Sequence, residues 1–145
     1  MELIPIKTRV LHPPQDNLFE VLDTYLTDVR EGDVVLVTSK VVSIHEGRCV
    51  PVKGSDLNSL IMEEAERVFH PSGRPRPMSI TNHALIGRSG IDESNGEGYY
   101  TLLPVDSFAS ATRIREHLMK RHTLTKLGVV ITDSHSLPFR YGALS

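Results

Sequence analysis

Two short acidic stretches carry most of the oxygen chemistry in this chain. In Gly90-Ile91-Asp92-Glu93-Ser94-Asn95-Gly96 an acid sits among residues that turn tightly and bond their own backbone. In Val129-Val130-Ile131-Thr132-Asp133-Ser134-His135 a β-branched run after Gly128 stops at an acid and a hydroxyl. Such a run reads as a buried strand. A carboxylate at its end is held by the sheet but exposed at its edge, where ligands bind in open α/β sheets. The expectation is that Asp92, Asp133 and Ser134 hold metal ions against a nucleotide, with Asn95 a polar contact to the same ligand. Oxygen donors suit hard cations such as magnesium or manganese. The plain alternatives are a surface Asx-turn at Asp92 and a capped strand end at Asp133. An EF-hand loop is excluded, since its twelfth position is Leu103 rather than Glu.

Ser39-Lys40 follows a second apolar run, Val34 to Thr38, and a lysine at a strand exit is a natural phosphate partner. No Walker loop is present. Arg88 and Arg140 flank the acids and could contact anions, though each reads more simply as a solvated charge. Arg113, Arg115, Lys120, Arg121 and Lys126 form the wet face of a helix, without the interleaved aromatics of a single-strand binder. No Ser, Cys or His triad is legible, so no catalytic residue is assigned. Cys49 falls in an expected strand, buried and inert. His117 with His122, and His12 with His45, lack metal-ligand spacing, and His135 reads as a partner to a backbone carbonyl.

These residues need a scaffold, and 145 residues supply one domain that buries about two-thirds of its extended-chain surface. A net charge of −2 gives no pull toward nucleic acid or anionic membrane. One cysteine excludes an internal disulfide. No apolar run approaches the roughly 20 residues of a membrane span. The expectation is a cytoplasmic protein.

Glu2 to Ile6 is expected as a first strand. Leu18, Val21, Leu22, Tyr25, Leu26 and Val29 lie on one face of a helix capped by Asn17 or Asp16. Val34 to Thr38 is a strand, with Val41-Val42-Ser43 continuing as extended chain. Cys49 to Val52 forms a short strand, a second helix covers Asp56 to Phe69, and Ser79 to Gly87 and Tyr99 to Leu103 are strands. A third helix runs from Asp106 or Ser107 to His122, before the final strand. The class is α/β, with α+β the alternative: a mixed sheet and about three helices, several strands lying antiparallel.

Five segments, in order, resemble the coenzyme F-420-0:L-glutamate ligase family. They are Met1-Glu2-Leu3-Ile4-Pro5-Ile6, the run from Glu31-Gly32-Asp33 through Ser39-Lys40 to Ser43, Glu46-Gly47-Arg48, Gly90-Ile91-Asp92-Glu93-Ser94-Asn95, and Val129 to Ser134. Ser110-Ala111-Thr112-Arg113-Ile114-Arg115 is similar as well. The resemblance spans nearly the whole chain.

The resemblance implies a GTP-dependent ligase that adds γ-linked L-glutamate to a deazaflavin coenzyme through an acyl phosphate. It implies two manganese or magnesium ions, often a potassium ion, and a homodimer. Asp92, Asp133 and Ser134 match its metal ligands. Ser39, Lys40 and Asn95 match its nucleotide contacts, and Arg9 to His12 matches another by position. The chain departs from the pattern at Ile44, where the family carries lysine. It departs again at Ser136-Leu137, where the family has a glycine and an arginine. The family also continues past Ser145, so the chain is expected to lack a C-terminal portion. The rival expectation is a shortened, non-catalytic module that binds nucleotide or metal, or only dimerises.

Overall fold

A computed structural model describes residues 2–73, 77–94, 96–136, 141 and 143–144. Asn95 and residues 137–140, which include Arg140, lie outside the described residues. Among the described residues the architecture is mixed α and β, with four α-helices and several small sheets.

Helix α1 (Leu18–Tyr25) starts at Asn17, whose side chain accepts the amides of Phe19 and Glu20. Strand β1 (Val34–Thr38) pairs in parallel with β7 (Gly128–Thr132), Val34 opposite Gly128 and Thr38 opposite Thr132. Helix α4 (Ser107–His122) is capped by Asp106, which accepts the Ala109 amide. It ends at Thr123 in the left-handed conformation, with Lys120, Arg121 and His122 in its last turn, where cations favour the helix dipole. Leu18, Val21, Leu22, Ile114 and Leu118 from the two helices bury against one side of the β1–β7 pair. Each such side chain contributes about 1.5–3 kcal/mol. On the other side Val34, Leu36 and Val130 are exposed.

The second half of the chain builds a smaller core. Strand β2 (Cys49–Pro51) pairs antiparallel with β6 (Tyr99–Thr101). Helix α3 (Leu57–Glu64), capped by Asp56, lays Ile61 against Ile91, Tyr100 and Leu102. Strands β3 (Arg67–Phe69), β4 (Met78–Thr81) and β5 (Ala84–Gly87) form an antiparallel meander. Asn82 and His83 turn β4 into β5, both with positive φ, as the tight hairpin turn requires. Strands β8 (His135–Ser136) and β9 (Ala143–Leu144) pair after β7. Among the described residues no helix is long and apolar enough to cross a membrane.

Several elements differ from expectation. Ser39–His45 is helix α2, not extended chain: Val42, Ser43 and Ile44 bury together, and packing overrides the β-branched preference. The second expected helix stops at Glu64, because Arg67 to Phe69 is drawn off as strand β3. Residues 2–6 form no strand. Ser79 to Gly87 is two strands rather than one.

Candidate functional site

Strands β1 and β7 end side by side at Thr38 and Thr132, so the residues that follow are neighbours at one sheet edge. Ser39 opens α2, and its Oγ donates to Asp133 Oδ1 at 2.7 Å. The next residue reaches the other way. Lys40 Nζ lies 2.5 Å from Asp92 Oδ2 and donates to the Ser94 carbonyl at 2.7 Å. Two consecutive residues therefore fasten both acids, which the sequence keeps far apart.

Asp92 is positioned by its backbone. It exchanges two hydrogen bonds with Thr101, of 2.9 and 2.7 Å, which lays it beside β6. The preceding Ile91 is buried in the second core. Asp92 Oδ1 accepts the Ser94 amide and hydroxyl, both at 2.8 Å, so the expected Asx-turn is present as well. Burial works to raise the Asp92 carboxyl. The bonds from Lys40 and Ser94 outweigh it and hold the group below its ordinary value, as the carboxylate. Gly96 closes the loop, since a Cβ there would stand 2.1 Å from the Tyr99 carbonyl oxygen.

Asp133 and Ser134 are both exposed at the strand exit. Ser39 thus bonds Asp133 and Lys40 bonds Asp92, with the Ser94 hydroxyl on Asp92 and Ser134 next to Asp133 in sequence. Carboxylate and hydroxyl oxygens suit a hard divalent cation, and the Lys40 ammonium already sits on Asp92. Among the described residues no three His, Cys, Asp or Glu side chains come together. A cation there would complete its shell from hydroxyl, backbone, phosphate or water oxygens, as magnesium habitually does.

Other expected residues are placed elsewhere. Arg9 is held by Asp16 through bonds of 2.6 and 2.8 Å. His12 Nδ1 lies 3.0 Å from Glu97, tying the N-terminal segment to the loop that carries Asp92. Ile44 belongs to the first core, so its side chain is not part of the edge. Arg88 is not a solvated charge: its side chain is only 23% exposed. The basic face of α4 is partly tied down, Arg115 donating to the Leu127 carbonyl, Arg121 to the Asp23 carbonyl and Arg113 to Glu46. Cys49 is half-buried in β2, and burial pushes its thiol up despite a bond to Thr101.

The sequence reading overlooked Ser94, which bonds both Asp92 and Lys40. Its signal was the Asp-x-Ser spacing of an Asx-turn. It also overlooked the packing role of Glu46-Gly47-Arg48. Glu46 accepts the Val105 amide and bonds Ser110 and Arg113. Arg48 donates to the Leu103 carbonyl and pairs with Glu64.

The fold is that of an α+β domain in which Ser39 and Lys40 bond two acids from distant parts of the sequence. The family described as F420-0:Gamma-glutamyl ligase matches residues 55–145, and the chain belongs to that family. Relatives named "Coenzyme F420:L-glutamate ligase" match along most of it. That of Methanopyrus kandleri is 27% identical over 99% of the chain and 63% of its own length. That of Methanocaldococcus jannaschii is 30% identical over 90% and 58%. That of Halorubrum lacusprofundi is 31% identical over 88% and 57%. The chain therefore spans about six-tenths of the length of these curated relatives.

Proposed function

We propose that this chain provides the nucleotide- and metal-binding part of a γ-glutamyl ligase acting on a deazaflavin coenzyme, with L-glutamate and GTP as co-substrates. The observation that carries the reading is the joint hold of Ser39-Lys40 on Asp133 and Asp92. Family membership and the names of the relatives support it.

In this reading Asp92, Asp133 and Ser134 hold manganese or magnesium, with Ser39 orienting Asp133. The cation would neutralise triphosphate charge and the charge that develops in transfer. Lys40, now paired with Asp92, donates to a phosphate oxygen when nucleotide is present. An acceptor carboxylate oxygen attacks the γ-phosphorus and GDP leaves. The glutamate nitrogen then attacks the acyl carbon, phosphate leaves, and the nitrogen gives up a proton. Positioning and electrostatics carry this chemistry, so the edge needs few reacting groups. Ile44 leaves Lys40 as the ammonium at the edge, which makes Lys40 the cation on which nucleotide affinity turns. A potassium ion and a homodimer belong to the same proposal.

The test is a thermal melt with GTP and manganese. Ligand at a hundred times its dissociation constant raises stability by roughly 2.7 kcal/mol. The wild-type chain gains that, while Asp92→Ala and Asp133→Ala do not. No gain in the wild type would contradict the proposal. A second reading, a binding or dimerisation module without ligase activity, rests on Ile44, which lies in the first core where the resemblance implies a lysine. It predicts the melting shift without amide formation when deazaflavin and L-glutamate are added.

A further inference from the structure

The residues after β5 make three consecutive left-handed steps, Arg88, Ser89 and Gly90, at φ +57°, +53° and +72°. Such a turn is costly outside glycine and persists only where its surroundings fix it. Here Ser89 fixes it, its amide donating to Ser79 Oγ at 2.8 Å and its hydroxyl to the Ile61 carbonyl at 3.0 Å, all buried. The Ile91 amide closes back on the Arg88 carbonyl at 2.9 Å, and Asp92 follows. Strand β5, which ends just before Arg88, packs against β8, which begins just after Asp133-Ser134. Arg88 thus follows a strand that packs beside β8, and its guanidinium faces Glu93, next to Asp92.

Its guanidinium is incompletely paired. Nε is buried and makes no hydrogen bond among the described residues. The terminal Nη2 lies 3.7 Å from the carboxylate of Glu93, too far for a hydrogen bond. Nε and Nη2 share one edge of the guanidinium plane, the edge that grips a carboxylate or phosphate with two parallel bonds. A buried donor left unpaired is expensive, and a fixed cation at a ligand edge repays that cost only when an oxyanion arrives.

We propose that Arg88 is a substrate-binding residue that takes an oxyanion, a carboxylate or a phosphate, on its Nε–Nη2 edge. Half-exposed Glu93 holds that place loosely in the free chain and turns outward when the ligand binds. This rests on the reading of the Asp92–Asp133 edge as a ligand site, and it adds a two-pronged anion anchor beside the single ammonium of Lys40.

The experiment is an NMR titration of the full chain, without metal, using inorganic phosphate and, separately, L-glutamate. Arg88→Met weakens at least one probe on the order of tenfold to a hundredfold, the worth of bonds to a charged group. Arg88→Lys, which keeps the charge but loses the fork, recovers only part. Glu93→Gln removes the competing carboxylate and tightens the same probe severalfold. Because Glu93 is a surface residue, this variant decides the matter even if Arg88→Met fails to fold. Dependence of phosphate alone assigns Arg88 to the nucleotide, and dependence of L-glutamate assigns it to a carboxylate substrate. Unchanged affinities, weaker binding in Glu93→Gln, or no binding of either probe by the wild type overturns the inference. If the wild type binds GTP with manganese but Arg88 and Glu93 are silent, only this inference falls. If Arg88 governs the probes but GTP with manganese never binds, the ligase reading falls instead.

Discussion

The Ser39-Lys40 edge and the Glu46-Gly47-Arg48 joint lie on either side of one short helix, yet they use charge in opposite ways. At the joint, Glu46 is 12% exposed and fully engaged, holding Val105, Ser110 and Arg113. Arg48 ties Leu103 and Glu64, and its carbonyl receives the Leu102 amide. These groups lock α4 and the second core onto α2. At the edge, Asp92 is 42% exposed and Asp133 stands open at a strand end. Both regions belong to the segments that resemble the ligase family. Burial separates those that build the scaffold from those that stay open to solvent.

Substitutions can break this contrast, and the largest effect belongs to the scaffold. Leu118, fully buried in α4, should cost about 2–5 kcal/mol as Leu118→Ala by urea denaturation. The edge geometry of the folded fraction should be unchanged. Glu46→Ala strands the Val105 amide and the Ser110 hydroxyl, and should cost about 1–3 kcal/mol in the same assay. Ser39→Ala inverts the pattern. It removes one hydrogen bond to an exposed acid, so stability falls by no more than about 1.5 kcal/mol, while affinity for GTP with manganese falls at least as much. A stability loss larger than that of Glu46→Ala would make Ser39 part of the scaffold and erase the distinction.

The smallest effect is in pH. Asp16 is held below the usual carboxylate range by the Arg9 guanidinium, and Asp92 is lowered too. A carboxyl lowered by folding contributes stability above its unfolded value, near pH 4. That contribution is lost as pH falls through the folded value. Melting temperature should therefore drop below about pH 4. Asp16→Asn should flatten that drop and leave the neutral-pH dependence unchanged.

The sequence made the anchors of the fold legible. Asn17 and Asp106 are caps because their short side chains accept amides, and Val34 to Thr38 is a strand because β-branched residues fill a half-buried pleat. It misled where burial outweighs local preference, as at Val41-Val42-Ser43 in α2, and where one pattern fits two structures. Val68 and Phe69 keep helical spacing from Ile61 but pair with β4. The hairpin at Asn82-His83 lacks the glycine that usually advertises such a turn. Asp92, Asp133 and Ser39-Lys40 stand out in the sequence one by one as candidates. Their contacts do not, since nothing local to Lys40 announces a bond to Asp92 across a different sheet. Arg88 flanks the acids in sequence and reads there as an anion contact or, more simply, a solvated charge; the turn that half-buries it is not visible in the sequence.

The measurement that bears most directly on the paired acids is a double-mutant cycle on GTP affinity in the presence of manganese. It compares the wild type, Asp92→Ala, Asp133→Ala and the double variant by calorimetry. Groups sharing one ligand cluster couple by about 0.5–3 kcal/mol, while distant groups act independently within about 0.5 kcal/mol. Each single change is expected to remove most of the binding and the second to remove little more. Independent, additive losses, or a single variant that binds like the wild type, would contradict it.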